Sequence, residues 1–293
     1  MELKKKVSSI IVTFNRKEKL KKAINALLGQ TYPIYKIYII DNASTDGTFE
    51  YISDLINKNS SIIYFKKKEN LGGSGGFCEG FKQALTDKPD FFWACDDDAL
   101  ADRDALEQML NKGSIIKEPT VFFSRIIIDS KPPHDLYKVS RKDVKYKGHF
   151  ALKYATFASL LVPYEIVKDI GIPRGDLFIL GDDTEYSMRI NKAGYKILYI
   201  KDSIVHHPEQ IKEKMTKKIL GKEISYYKQA KWRYYYSTRN ILLIFSYPSK
   251  FKILVIHGIS LFKMLIFNRQ DIPIFLKGVF HGLIGKSGKI EIK

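Results

Sequence analysis

Four times in its first hundred residues the chain runs from an apolar, β-rich stretch into a polar cluster, and helical patterns separate the runs. That alternation is the strongest restriction on its fold. VSSIIVT at 7–13 reads as a strand, and RKEKLKKAINALLGQ follows with Leu20, Ala23, Ile24, Leu27 and Leu28 at helical spacing. KIYIID stops at Asp41 before a polar turn and the helix FEYISDLINK. SIIYFKKK leads through NLGGSGGF into a further helix, and DFFWAC ends on Asp96, Asp97 and Asp98. Strand–helix repetition of this kind predicts an α/β chain built on a parallel sheet. Ligands of such sheets bind beyond the carboxyl ends of the strands. Residues 13–16, 41–44, 70–76 and 96–98 all fall at those ends, so four clusters remote in sequence are expected to share one edge. After residue 120 the pattern loosens. A polar, turn-rich stretch occupies 131–150, and a second acidic cluster, GDDTE, precedes a helix and a strand.

Three adjacent carboxylates repel one another unless a cation lies among them. In an extended segment residues i and i+2 face the same way, which lets Asp96 and Asp98 point together with Asp97 opposed. Paired carboxylates of this kind suit Mg²⁺ or Mn²⁺, which complete their coordination with water and phosphate oxygens. The plainer alternative is a set of helix-start acids for the helix at DALEQML. NLGGSGGF would let backbone approach a ligand closely, and N–H groups at a helix start favour phosphate. Its glycine spacing is neither the dinucleotide fingerprint nor a P-loop. In GDDTEYSMR one acid can serve as general base for a hydroxyl, and Glu185 and Arg189 are spaced for an i,i+4 ion pair. His206 and His207 close a further strand, where a neutral imidazole can complete a metal site.

Taken in order, IIVTFNR, IIDNASTDGT, NLGGSGGF, DDDAL, GDDTEYSMRINKAGYKI and VHH resemble the family 2 glycosyltransferases of the GT-A fold, over about residues 7–210. Within that family the combination looks most like the galactofuranosyltransferases, with rhamnosyltransferase-like members second. The resemblance implies a Rossmann-like mixed α/β sheet and an inverting enzyme that uses a nucleotide-sugar donor and Mn²⁺ or Mg²⁺. It implies that Asp96 and Asp98 hold the metal, with His206 as a further ligand ahead of His207. Asp183 would be the catalytic base and Asp182 its neighbour on the acceptor side. Thr13, Arg16, Asp41 and Asn70 would lie around the nucleotide with Asp97, and Gly72, Gly73 and Ser74 beside the donor. Trp93 is expected in the core. Tyr154 and Phe157 are the candidates for a sugar platform. The donor implied is UDP-galactofuranose, the alternative dTDP-rhamnose, and the acceptor a glycan or lipid-linked glycan of polysaccharide synthesis.

The chain carries 49 Lys and Arg against 32 Asp and Glu, a formal net charge of +17. From Lys201 to Lys293 there are 18 basic and 6 acidic residues, so +12 of that excess lies in the last third. The expected division is therefore a catalytic domain over 1–207 and a helical, basic and aromatic extension over 208–293. KEISYYKQAKWRYYYSTRNILLIF mixes Lys and Arg with aromatics, a composition suited to an anionic membrane surface. Packing under the catalytic domain or a homo-oligomer contact is the alternative. With two cysteines, too short an apolar run at the start for a signal peptide and no run of about 18 apolar residues, the expected location is cytoplasmic, at the inner face of the membrane. A nucleic-acid-binding protein is the rival from another class. The acid at 96–98 and 182–185 would repel a phosphate backbone, which argues against it.

Overall fold

A computed structural model describes residues 4–137, 145–146, 149–209, 213–219, 221–246 and 248–292, so part of the turn-rich 131–150 stretch lies outside the described residues. The chain divides into two compact units: Met1–Gly175 with Asp182–Glu209, and Asp176–Gly181 with Gln210–Lys293. The sequence suggested one boundary, after residue 207. The assignment of Asp176–Gly181 to the second unit has no counterpart in that reading.

The first unit begins with β1 (Val7–Thr13), α1 (Lys17–Leu28), β2 (Lys36–Asp41), α2 (Thr48–Lys58), β3 (Ile62–Lys66), α3 (Gly72–Ala84) and β4 (Phe91–Asp96). It continues through β5 (Leu100–Ala101), α4 (Ala105–Ile115), β6 (Val121–Asp129), β7 (His134–Asp135), β8 (Lys145–Tyr146) and β9 (His149–Leu152). It closes with β10 (Leu160–Pro163), α5 (Tyr164–Ile170), α6 (Asp182–Lys192) and β11 (Ile197–Pro208). Eleven strands form one sheet in the order β3-β2-β1-β4-β10-β6-β11-β9-β8, with β5 added to β11 and β7 to β6. β1 to β4 pair in parallel, as the alternating pattern requires. β10 then runs antiparallel between β4 and β6, which makes the whole sheet mixed.

Two apolar layers cover this sheet. On one face Leu20, Ala23, Ile24 and Leu27 of α1, Ile52 of α2, and Leu106 and Met109 of α4 pack around Ile11, Ile39 and Trp93. On the other, Phe77 and Phe81 of α3, Ile166 and Val167 of α5, and Tyr186 and Ile190 of α6 pack around Ile10, Phe92 and Phe123. Alternation along each strand divides its side chains between the two layers. The glycines of NLGGSGGF lie inside α3 rather than in a loop before it. A Cβ on Gly76 would stand 2.3 Å from Val12 Cγ1, and one on Gly80 2.3 Å from Ile10 Cγ2. Bare backbone at these positions lets α3 sit directly on β1.

Register sets the functional edge. Thr13 pairs with Asp41, and Val12 with Asp96, so β1, β2 and β4 end level. After Asp96 the chain turns through Asp97 and Asp98 into β5, whose Leu100 pairs with His206 of β11. β11 carries an irregularity between Ile200 and Ile204 and then runs on to Pro208.

The second unit comprises a hairpin of β12 (Lys214–Ile219) and β13 (Lys222–Tyr227), then α7 (Lys231–Ile244), α8 (Ser249–Phe267) and α9 (Ile272–Leu283). The hairpin is an addition to the all-helical extension expected. Its small core joins Tyr226, Tyr234, Met264 and Phe275. Gly278 and Gly282 allow α9 close to α7: a Cβ on either would lie within 2.7 Å of Tyr235 O or Leu242 Cβ. Among the described residues no helix is long and apolar enough to cross a membrane.

Candidate active site

The acids after β4 do not cap the following helix. α4 starts at Ala105 with Asp104 before it, and β5 intervenes. Asp96, Asp98 and His207 instead each offer a ligand atom within 4.8 Å of the others. His207 Nε2 lies 3.3 Å from Asp98 Oδ1 and 3.9 Å from Asp96 Oδ2. The β5–β11 pairing brings the histidine to the acids.

His206, the histidine named first from sequence, is not in this group. It turns to Asp129, with Nδ1 3.0 Å from Oδ1, and its Nε2 lies 3.5 Å from Asp102 Oδ1. Neighbouring residues of a strand face opposite sides, so only one of the pair can join Asp96 and Asp98. Both were legible as candidates; only the register chooses between them.

Asp97 is not in the ligand group and sits in the turn after β4. It is buried, accepts a 2.8 Å hydrogen bond from Thr13 Oγ1, and pairs with Arg16 Nη1 at 3.0 Å. Arg16 also reaches Asp98 Oδ2 at 3.2 Å, and Lys19 of α1 reaches the same oxygen at 3.0 Å. Lys19 was not singled out from sequence, where it reads as one more lysine on an exposed helix face. Burial works against ionisation of Asp98, but the hydrogen bond and charge of His207, with Lys19 and Arg16, hold its carboxyl well below the usual range. Asp96 goes the other way: burial and the negative charge of Asp98 push it up to about 7. The hydrogen bond to Asp98 raises the His207 imidazole in turn. Two hard carboxylate oxygens and an imidazole in this proximity fit a divalent cation, and the cationic neighbours of Asp98 show the demand for positive charge there.

Asp182 and Asp183 open α6. Burial, then the charge of Asp183, push Asp182 up to about 8. Burial also raises Asp183, against hydrogen bonds from Thr184. Asp183 Oδ1 accepts from the Thr184 backbone N–H at 2.6 Å and from its hydroxyl at 3.2 Å. The charge of Asp183 also raises Asp96, so the second acidic cluster lies within electrostatic reach of the first. It likewise raises the Tyr137 hydroxyl, after burial, which places a tyrosine near the pair that sequence reading did not select. Glu185 and Arg189 form the i,i+4 ion pair at 2.8 Å.

The remaining candidates are largely committed to the frame. Asp41 is fully buried; one oxygen accepts from the Ser44 N–H at 2.8 Å and the other from the Tyr64 hydroxyl. Asn70 Oδ1 accepts from the Gly72 N–H at 2.7 Å, closing the turn into α3. Ser74 is buried and donates to the Arg174 carbonyl at 2.6 Å. An added Cβ on Gly73 would have no atom within 4 Å. Asn42 also went unnoticed from sequence. It ties the end of β2 to α3 by donating to the Gly72 carbonyl at 2.9 Å, and its buried Oδ1 has no hydrogen-bond partner. Trp93 is core, donating to Ser159 Oγ at 2.9 Å. Phe157 is core too, against Phe77 at 4.5 Å between ring centroids, so it is closed to a sugar; Tyr154 is half-buried under Lys153.

Comparison with known proteins places this edge in context. The model of the family described as glycosyl transferase family 2 matches residues 8–160. Galactofuranosyltransferase GlfT1 of Mycobacterium tuberculosis is 24% identical over 280 residues, covering 90% of each chain. Glycosyltransferase AglE of Haloferax volcanii is 26% identical over 220 residues, covering 72% of this chain and 70% of the relative. A dolichyl N-acetyl-alpha-D-glucosaminyl phosphate 3-beta-D-2,3-diacetamido-2,3-dideoxy-beta-D-glucuronosyltransferase of Methanococcus voltae is 28% identical, covering 95% and 94%. Among solved structures, GalNAc-T7 with UDP, GalNAc and Mn²⁺ superposes with a TM-score of 0.59 at 14% identity, over 72% of this chain and 45% of that one. TarS 1-349 of S. aureus in complex with UDP gives 0.54 at 20%, over 70% and 61%. The chain thus spans about half to three fifths of those two structures, and the likeness is one of fold.

Proposed function

The chain belongs to glycosyl transferase family 2, and from that premise we propose that it moves galactofuranose from UDP-galactofuranose to a hydroxyl of a glycan or lipid-linked glycan, with inversion at the anomeric carbon. The observation that carries this reading is the grouping of Asp96, Asp98 and His207 within 4.8 Å of one another, with Asp183 within electrostatic reach of Asp96. The donor is argued from the similarity, over 90% of each chain, to a galactofuranosyltransferase. A dTDP-rhamnose donor is the alternative.

Asp96, Asp98 and His207 would hold Mn²⁺ or Mg²⁺, which neutralises charge growing on the departing nucleotide diphosphate. Arg16 and Lys19, already directed at Asp98, add positive charge beside the same phosphates. Thr13 and Arg16 fix Asp97, and so the turn that carries its two neighbours. Thr184 holds one oxygen of Asp183 and leaves the other to take the proton of the acceptor hydroxyl. The raised pKa values of Asp182 and Asp183 suit that task, because a base works best when its pKa approaches the working pH. Attack opposite the departing diphosphate, through a transition state with oxocarbenium character, inverts the configuration in one displacement.

The protein is also read as peripheral on an anionic membrane at the cytoplasmic face, by way of its second unit. Of the aromatics first suspected of this, Tyr226 and Tyr234, Tyr235 and Tyr236 of α7 are buried, whereas Tyr227 is 49% exposed. The exposed apolar surface lies on α8, at Phe251, Val255, Ile256, Ile259, Phe262 and Leu265, and on α9 at Leu276, Phe280 and Leu283. Lys252 and Lys277 stand exposed among them, and the sole acid from Ser249 to Ile290, Asp271, is buried. Apolar stripes edged by lysine suit an anionic bilayer, and a lipid-linked acceptor gives that contact a use.

The test is turnover. Purified protein with Mn²⁺ and a polyprenyl-linked oligosaccharide acceptor receives UDP-galactofuranose, UDP-galactopyranose, UDP-glucose or dTDP-rhamnose, and product is followed by mass spectrometry and NMR. Transfer from UDP-galactofuranose with inverted anomeric configuration is expected. Transfer from dTDP-rhamnose alone, or retention of configuration, overturns the reading.

A further inference from the structure

Gly181 is joined directly to Asp182, the first residue of α6. The backbone just before it is unusual. Phe178 has φ 67° and Leu180 φ 70°, both in the left-handed region that bulky residues avoid, and Gly181 follows at φ 90°. A run of such conformations persists only where its surroundings over-determine it.

The surroundings are two consecutive residues of α7. Asn240 is buried, and its Nδ2 shares its two N–H groups among the carbonyls of Leu177 at 3.0 Å, Ile179 at 2.9 Å and Leu180 at 2.6 Å. Arg239 is fully buried; its Nη2 donates to Leu177 O at 2.7 Å, its Nη1 to Gly288 O, and its Nε to Asn240 Oδ1 at 2.8 Å. Gly288 returns an N–H to Asp176 O at 2.7 Å, so the irregular stretch after α9 closes the same ring. Phe178 packs on Tyr236 with 4.9 Å between centroids, and the Arg239 guanidinium stands 4.8 Å from that ring. A Cβ on Gly181 would meet Ile244 Cδ1 at 2.9 Å. Every carbonyl from 177 to 180 except that of Phe178 is thus gripped by one amide, itself oriented by a buried guanidinium.

We infer that Arg239 and Asn240 are positioning residues for sugar transfer, fixing the left-handed segment 177–181 that delivers Asp182 and Asp183. This rests on the reading of Asp183 as the base. A buried arginine and a buried amide committed to the backbone of one connecting segment would otherwise be a costly way to hold six residues. Their hydrogen bonds select one conformation of a segment that, freed, returns to ordinary φ values and carries the start of α6 with it.

The test compares wild type with Asn240→Ala, Asn240→Asp and Tyr226→Phe. Asn240→Asp keeps the volume and removes the N–H donors. Tyr226→Phe removes a hydroxyl of the second unit's core that bonds Tyr234 at 2.5 Å, and controls for general loosening of that unit. Two readouts are taken: UDP released from UDP-galactofuranose in the presence of Mn²⁺ and acceptor, and hydrogen exchange of peptides spanning 176–186 and 7–13. Both Asn240 variants are expected to lower kcat at least tenfold with donor KM within twofold, and to speed exchange in 176–186 while 7–13 is unchanged. Tyr226→Phe is expected to retain kcat. Arg239→Lys, which keeps the cation but loses the planar fork, carries the test if the Asn240 variants do not fold, with the same expectation. Unchanged kcat and exchange in the Asn240 variants, or an equal fall in Tyr226→Phe, overturns the inference. Failure of the wild type to turn over the donor refutes the reading of the reaction instead, and the exchange data still decide whether Asn240 holds the segment.

Discussion

Replacing His207 by alanine tests the site at its most discriminating point, because the chain offers two adjacent histidines and the structure uses them differently. His207 Nε2 lies 3.3 Å from Asp98 Oδ1 and within the ligand group; His206 lies 3.0 Å from Asp129 on the opposite face. Removing a group that merely orients a metal ligand costs roughly 10- to 100-fold in metal affinity, and loss of a ligand itself costs no less. At about 1.4 kcal/mol per decade, that is a loss of about 1.4–2.8 kcal/mol or more. A second effect adds to it: His207 helps hold the Asp98 carboxyl low, so without it a proton competes better for Asp98. His206→Ala removes only partly exposed pairs with Asp129 and Asp102, each contributing about 0–1 kcal/mol to stability. The assay is titration of Mn²⁺ into protein and UDP, following the free-ion signal by electron paramagnetic resonance. Affinity should fall at least tenfold in His207→Ala and stay within twofold in His206→Ala. Equal losses, or loss only in His206→Ala, would refute the assignment drawn from the β5–β11 register.

Mn²⁺ affinity should fall as pH drops. Asp96 sits at about 7 and binds metal only when ionised, so proton competition grows below that value. Between pH 8 and pH 6 this one group predicts a loss of about tenfold, which the raised His207 deepens, and calorimetry across that range checks it. Asp183→Asn should retain metal-dependent donor binding and lose about 10²- to 10⁴-fold in transfer rate, measured as product formed at saturating donor. Gly76→Ala sets a methyl 2.3 Å from Val12 Cγ1 and should destabilise the protein by about 1–3 kcal/mol, read as a lower Tm and urea midpoint. Paired Ile256→Glu and Phe280→Glu substitutions place charge on residues 59% exposed and should abolish co-sedimentation with phosphatidylglycerol vesicles. Unaltered binding would remove α8 and α9 from the membrane contact, and a change in oligomeric state instead would assign that surface to a second copy.

The parallel strands and the edge they share were legible because two periodicities carry them: apolar runs for the strands and the 3.6-residue spacing of Leu20 to Leu28 for α1. Asp96, Asp97 and Asp98 announced themselves, since three acids in a row need a physical reason. Other features depended on pairing. The antiparallel insertion of β10 leaves no trace in LLVP, a short apolar run compatible with either direction. The choice of His207 followed from how β11 meets β5, a contact of residues about a hundred apart. NLGGSGGF looked like a phosphate loop because glycine permits one. Gly76 within it and Gly80 just beyond it serve helix–strand packing, and no local pattern separates the two uses. The hydrogen bonds that Asp41, expected around the nucleotide, accepts from Ser44 and Tyr64 could not be foreseen, since Tyr64 lies more than twenty residues away. The tail was the least legible: its tyrosines are amphipathic and fit either a bilayer or a core, and here Tyr226, Tyr234, Tyr235 and Tyr236 are buried while the plain aliphatics of α8 face outward.

The central claim is that the sheet edge holds a divalent cation and, through it, a nucleotide sugar. Calorimetric titration of UDP-galactofuranose, with UDP-glucose and dTDP-rhamnose alongside, into protein with Mn²⁺, with chelator, and into Asp98→Ala with Mn²⁺ tests this most directly. Binding of UDP-galactofuranose that needs Mn²⁺ and vanishes in Asp98→Ala is the predicted result. Binding indifferent to both the chelator and the substitution would contradict the account, because the acids gathered after β4 would then have no part in holding the donor.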